Sequence, residues 1–314
     1  ILSVISLLAM FGAIQSLMVD QLNILASPSF NPAGGSLLSL AIFLAVMSVA
    51  AVGFLFTGAL KKFDRFVFSA GLILFLIVLV LINFYLSWII LALGVGLLII
   101  GRFLESIFSF KKSVNYYWLI PLAVTLAAIL MLALPRANPA KIILGRPLPK
   151  EALLDYRTSF LITKKALVKN PILGSGPATF AQDFSLYRPT EFNQNDYWQI
   201  RFDKSSSQFL EILATLGLPA WLSYFLIISL VIYINIILFI KYLKNENYNL
   251  ITVIFTVFIL LSVAQLFFSF NTVLNFSFWF LAALAMAFCQ NYNQSIFKEK
   301  TININKTVLF FRVW

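Results

Sequence analysis

The side chains of this chain that can do chemistry gather in one polar stretch, from Pro135 to Ser205. It carries Arg157, then Arg188 and Glu191, then Arg201, Asp203 and Lys204. A guanidinium is a planar, permanently charged fork that holds a phosphate through two parallel hydrogen bonds. The stretch also holds six carboxylates, Glu191 and Asp203 among them, and these are the groups that could act as general bases, because the 314 residues include no histidine. The single cysteine, Cys289, offers neither a disulfide nor a metal cluster, so no metal site is expected.

The local signals around these groups are helices and turns. Pro149-Lys-Glu-Ala-Leu-Leu-Asp reads as a helix start, with proline and an acid in the first turn. Leu153, Tyr156, Phe160, Thr163 and Leu167 then recur at helical spacing and predict its apolar face. Asn170 should end it, because Pro171 disfavours helical geometry in the residue before it. Gly174-Ser-Gly-Pro177 reads as a turn, with Pro177 opening a short helix through Phe184. The stretch Tyr187 to Trp198 is expected to be irregular. A last element starts at Asp203 or Ser205, where Ser205 and Gln208 have capping-box spacing, and Gly217 and Pro219 mark its end.

These elements must be held by something other than a soluble core. The chain is 61% hydrophobic and 11% charged, with a mean hydropathy of +0.93. An ordinary soluble domain has about 25% charged residues, so the bilayer is the solvent that fits. A spanning helix needs about 20 mostly apolar residues. Eight such runs are predicted, at Ile1–Met18, Ser36–Thr57, Phe66–Ile82, Phe84–Gly101, Tyr117–Leu134, Leu218–Ile240, Leu250–Phe268 and Val273–Cys289. The third and fourth share one uncharged stretch and are divided at Asn83 to Trp88. The expected fold is an all-α, polytopic integral membrane protein with about eight transmembrane helices and one large external helical loop. Residues 1–134 form spans one to five, 135–217 the loop and 218–290 spans six to eight. Residues 291–314 form a cytoplasmic tail and the possible start of another span. The chain lacks an initiator Met and reads as a fragment with sequence missing at both ends.

Charge sets the expected orientation. Lys61, Lys62, Arg65, Arg102, Lys111, Lys112, Lys241, Lys244 and the basic residues of the tail fall on one side, twelve in all. The alternate short connections carry no Lys or Arg. The basic side is therefore cytoplasmic, and the long loop lies outside the cytoplasmic (inner) membrane. That loop holds eleven basic and six acidic residues, a net charge of +5. The overall +11 is divided between two membrane faces and does not read as nucleic-acid binding.

The motif order then resembles a known family. Arg157, Asn-Pro-Ile-Leu-Gly-Ser-Gly-Pro177 and the later Gln208-Phe-Leu-Glu-Ile-Leu-Ala-Thr-Leu-Gly-Leu-Pro219 are similar to the O-antigen ligase/polymerase (Wzy-C type) superfamily, over roughly Tyr156 to Ala220. The resemblance implies glycan transfer from an undecaprenyl diphosphate carrier, without metal or cofactor. The acceptor would be a lipid-A core sugar, another glycan repeat or a protein hydroxyl. Arg157 matches the family's loop arginine. The family's histidine position falls on Ser206, and its earlier arginine on Tyr85. Asp203 or Glu191 is then the expected base, with Arg201 or Arg188 as a second cation. Lys204, Ser206, Gln208, Arg188 and Tyr85 are the expected substrate contacts.

Plainer readings stand beside these. Arg157 can pair with Asp155, Glu151 or lipid headgroups, and Arg188 and Arg201 can make salt bridges to Glu191 or Asp203. Gly174-Ser-Gly176 lacks the lysine of a phosphate loop and fits a turn. Tyr187, Phe192, Tyr197 and Trp198 suit membrane-interface anchors more than sugar platforms. Ser205 suits an N-cap. Two rival functions follow: a transporter, disfavoured because the eight runs contain no charged residue, and a non-catalytic binder of lipid-linked glycan.

Overall fold

The computed structural model describes residues 36–57, 60–109, 118–134, 137–145, 147–148, 151–194, 197–242 and 248–292. The predicted first span and nearly all of the tail lie outside them. The regular elements among the described residues are all helices, with no strand among them. We number the helices α1 (Leu37–Thr57), α2 (Lys62–Ile82), α3 (Tyr85–Ser109), α4 (Leu119–Ala133), α5 (Pro139–Leu144), α6 (Tyr156–Lys169), α7 (Phe180–Tyr187), α8 (Gln208–Tyr242), α9 (Tyr248–Phe267) and α10 (Thr272–Tyr292), with a 3-10 turn at Thr190–Gln194.

Among the described residues, four helical stretches are long and apolar enough to cross a membrane: Leu37–Phe56, Lys62–Ile82, Tyr85–Leu104 and Gln208–Ile237. Leu119–Ala133, Ile251–Phe267 and Thr272–Ala287 are apolar but shorter. At 1.5 Å per residue, the 15 residues of α4 reach about 22 Å, against roughly 30 Å of hydrocarbon.

α1 is the centre of the bundle. It is apolar all round and packs against α2, α3, α4 and α9, as a helix with no polar face must. Three helices approach closely at Gly94 of α3. A Cβ there would lie 2.5 Å from both Leu260 Cδ1 of α9 and Val49 Cγ2 of α1. Small residues let helices without a hydrophobic driving force between them gain packing instead.

The long uncharged stretch divides where the sequence suggested. Asn83 takes the left-handed conformation (φ 47°) and caps α2, a conformation Asn tolerates better than most residues. Its Oδ1 accepts from Trp88 Nε1 at 3.0 Å, and its Nδ2 donates to the Ala137 carbonyl at 2.8 Å. Trp88 is buried and serves this turn from inside.

The polar segment between α4 and α8 has its own small core. Phe184, Phe192 and Phe202 meet edge to face, with centroids 5.4, 5.6 and 6.2 Å apart, backed by Leu154, Ile162, Ala166 and Ala214. Phe192 is only 4% exposed, so it is a core residue and not the interface anchor expected of it. Edge-to-face pairs add to what burial alone supplies.

α6 begins later than predicted. Residues 151–155 are not helical, and Asp155 is the N-cap, its carboxylate accepting from the Thr158 N–H at 2.8 Å. The cap outweighs the upstream proline because it satisfies an otherwise orphaned donor. The buried face is also rotated. Thr158, Ser159, Ile162, Thr163 and Ala166 face inward, whereas Tyr156 and Phe160 are exposed. The reason is close packing on α8: Thr163 Oγ1 donates to the Leu210 carbonyl at 3.3 Å and Ser159 Oγ accepts from the Ser206 N–H at 3.0 Å. Small hydroxylated residues permit that approach and aromatic rings do not. α6 ends as predicted, with Asn170 as C-cap. The next helix starts at Phe180, three residues beyond Pro177.

α8 bends sharply at Gly217 (φ 78°, ψ −177°), the glycine predicted to end the last loop element. The bend frees carbonyls, and the Gly174-Ser-Gly turn takes them up. Ser175 N–H donates to Ala214 O at 3.0 Å and Gly176 N–H to Thr215 O at 2.8 Å, while Leu218 N–H returns a bond to Pro171 O at 3.0 Å. The Gly-Ser-Gly motif is therefore a backbone clasp on the bend.

Candidate functional site

A cavity of about 260 Å3 opens where the polar segment meets the helix ends. Its walls come from four places. Ser36 and Ser39 stand at the start of α1, residues 152–154 precede α6, residues 202–206 precede α8, and Phe268, Ser269 and Asn271 form the turn between α9 and α10. It gathers hydroxyls and one amide around a single carboxylate, Asp203, and a single ammonium, Lys204.

Hydrogen bonds fix each wall. Glu151 accepts from the Leu37 and Leu38 N–H groups at 2.6 and 3.3 Å, capping α1 as an acid at a helix N-terminus should. Lys204 Nζ donates to Phe270 O at 3.1 Å. Gln208 Oε1 accepts from Phe270 N–H at 2.8 Å, and Ser207 Oγ donates to Gln265 O at 3.1 Å. The predicted capping box does not form, because the Gln208 amide serves the α9–α10 turn rather than Ser205.

Ser206, the position matched to the family's histidine, lines the cavity. Its N–H is taken by Ser159. Its Oγ is buried and, among the described residues, has no hydrogen-bond partner. An unmatched buried hydroxyl is costly, and native proteins keep few of them.

The other expected site residues divide. Asp203, Lys204 and Ser206 line the cavity together. Arg157, on the outer face of α6, and Arg201 are exposed, and neither lines it. Arg188 donates to Trp198 O at 3.2 Å and lies 5.9 Å over the Phe184 ring, bracing the phenylalanine core. Glu191 is exposed on the 3-10 turn, outside the cavity lining. Tyr85 is exposed at the start of α3 with its ring edge-on to Phe84, and Gln208 has the structural partner just described. Among the described residues no His/Cys/Asp/Glu group of three could hold a metal ion.

Two acids escaped the sequence reading. Glu211 of α8 accepts from Ser269 Oγ, so it holds a cavity wall from behind; its one visible signal was a lone acid in the apolar run Phe209–Leu218. Asp183 is 3% exposed and accepts from Ser175 Oγ. Burial pushes its carboxyl above its ordinary value of 3.8, partly offset by the Ser175 hydroxyl and by Lys169. Its role in the glycine clasp has no local sequence signal.

The architecture defines an all-helical protein with membrane-spanning candidates and a polar cavity at their ends. No family model, curated protein or solved structure matches the chain.

Proposed function

We propose that this protein transfers a glycan from an undecaprenyl-diphosphate carrier to a hydroxyl acceptor at the outer face of the cytoplasmic membrane. The observation that carries the reading is the shared cavity of Asp203, Lys204 and Ser206, on the segment whose motif order resembles the O-antigen ligase superfamily. Asp203 is the base for the acceptor hydroxyl, with Lys204 beside it as the wall's cation. Leu154 and Phe202 line the cavity; Arg157 follows the first by three residues and Arg201 directly precedes the second. Both guanidiniums are then rim groups that meet the diphosphate as it enters. Glu191 is the weaker base candidate, because it stands outside the lining.

The eight-span topology belongs to the same proposal. It is supported by the contacts that join the polar segment to the start of α1, the end of α2 and the α9–α10 turn, which are alternate helix ends, as crossings with one external loop require. The remaining helices α4, α9 and α10 would cross as part of the bundle.

The test is glycan transfer in cells carrying the full-length protein. Asp203→Asn is expected to abolish transfer and Glu191→Gln to leave it near wild type; full transfer by Asp203→Asn would sink the assignment. A second reading, a non-catalytic binder of lipid-linked glycan, is favoured by the arginines standing outside the cavity. Purified protein that binds undecaprenyl diphosphate glycan and never turns it over, with any hydroxyl acceptor, would establish it.

A further inference from the structure

The outer side of the polar segment carries apolar side chains that its own core does not use. Thr158, Ser159, Ile162, Thr163 and Ala166 turn inward, which puts Phe160 and Val168 on the exposed face of α6. Just beyond the helix, Ile172 is 67% and Leu173 80% exposed. Lys164 and Lys169 are exposed on the same helix.

The position of this surface is fixed at both ends. Upstream of α6, Glu151 caps the N-terminus of α1. Downstream, Pro171 O accepts from Leu218 N–H, at the bend of α8. Both α1 and α8 are long and apolar enough to cross a membrane, so α6 runs between two span ends rather than away from them. At the bend the contact is intimate: a Cβ on Gly217 would lie 2.3 Å from Ile172 O. The chain at Ile172 and Leu173 therefore adjoins α8 at Gly217, between the exposed Leu216 and Leu218, and the exposed apolar surface of the spanning helix continues onto the turn.

We infer that Val168, Ile172 and Leu173 are immersed in the lipid bilayer around α8, with Lys164 and Lys169 at the level of the lipid phosphates. Continuity with the exposed apolar flank of α8, a helix long and apolar enough to cross a membrane, selects lipid as the occupant, and the flanking lysines complement anionic headgroups. Immersion would hold the Gly-Ser-Gly clasp and the bend of α8 at a fixed depth. It is independent of any glycan chemistry.

Spin labels on the full-length protein in phosphatidylcholine/phosphatidylglycerol bilayers test this, in a Cys289→Ser background. Labels at Leu173→Cys and Val168→Cys should collide with dissolved oxygen several-fold more than with a water-soluble nickel chelate. A label at Ser185→Cys, exposed on α7, should show the reverse. Chelate access at 168 and 173 equal to that at 185 would place the surface in water and overturn the inference. Low access to both reagents would mean a protein partner, such as a second copy, and overturn it equally. Should a label disturb the fold, Leu173→Trp read by quenching from brominated lipid gives the same decision.

Discussion

Gly174 and Gly217 lie against each other so closely that neither has room for a side chain. A Cβ on Gly174 would fall 2.7 Å from Gly217 N, and one on Gly217 would fall 2.8 Å from Gly174 N. Both residues have positive φ, 66° and 78°. Replacing either with alanine should cost on the order of 2–5 kcal/mol, combining roughly 1–2 for left-handed φ with about 1–3 for overpacking. Thermal unfolding in detergent, with protease cleavage mapped near residues 170–177, measures it. Wild-type stability in both variants would contradict the clasp.

Asp183 should make the clasp sensitive to pH. A carboxyl whose value is raised in the fold binds its proton more tightly folded than unfolded. Its unit is then most stable below 3.8 and loses stability as pH rises from there through the raised value, staying level above it. Asp183→Asn should match wild type at low pH and exceed it at neutral pH. Hydrogen-exchange protection of the Ser175 and Gly176 amides across that window reads the difference, and parallel profiles for the two proteins would argue against it.

The Phe184–Phe192–Phe202 cluster should fold as a unit apart from the bundle. Phe184→Ala is expected to cost about 3–5 kcal/mol, as large-to-small core changes do. The loss should appear as protease sensitivity between α6 and α8, with the apolar helices still protected.

Ser206 separates stability from function. Removing an unpartnered buried hydroxyl relieves a cost of about 1–3 kcal/mol at most, so Ser206→Ala should be neutral or more stable without substrate. If the hydroxyl is matched by a bound sugar, the same variant should bind lipid-linked glycan more weakly. A variant that loses stability and keeps full binding would reverse both expectations.

Gly94 and Gly96 give an internal comparison within α3. A Cβ on Gly96 meets nothing within 4 Å, whereas one on Gly94 strikes α1 and α9. Gly96→Ala should shift stability by no more than about 1 kcal/mol. Gly94→Ala should lose about 1–3 kcal/mol by overpacking, measured by thermal unfolding of the purified protein.

How much of this was readable in advance depended on the range of the interaction. Asn83 broke the long apolar stretch, Pro171 ended α6, and Gly217 with Pro219 marked the bend of α8, because turn and cap preferences act within a few residues. α6 showed the limit of such reading. Its apolar periodicity pointed to Tyr156, Phe160 and Thr163; Thr163 is buried as expected, but the helix buries Thr158, Ser159 and Ile162 with it and leaves Tyr156 and Phe160 exposed. What decided the face was the surface of α8, 40 or more residues away in sequence. Phe192 moved from an expected interface to a core because it packs edge to face against Phe184 and Phe202, a meeting that no helical or strand spacing announces.

The sequence by itself determined that the chain is helical and apolar and that its polar groups are concentrated between two sets of apolar helices. Composition and periodicity are properties of each segment alone. Only the tertiary structure decided which polar groups meet. It joined Asp203, Lys204 and Ser206 with serines from α1 and from the α9–α10 turn, and left Arg157, Arg201 and Glu191 outside. It also paired Gly174 with Gly217. Those contacts are set by how helix ends converge, and no local spacing encodes that convergence.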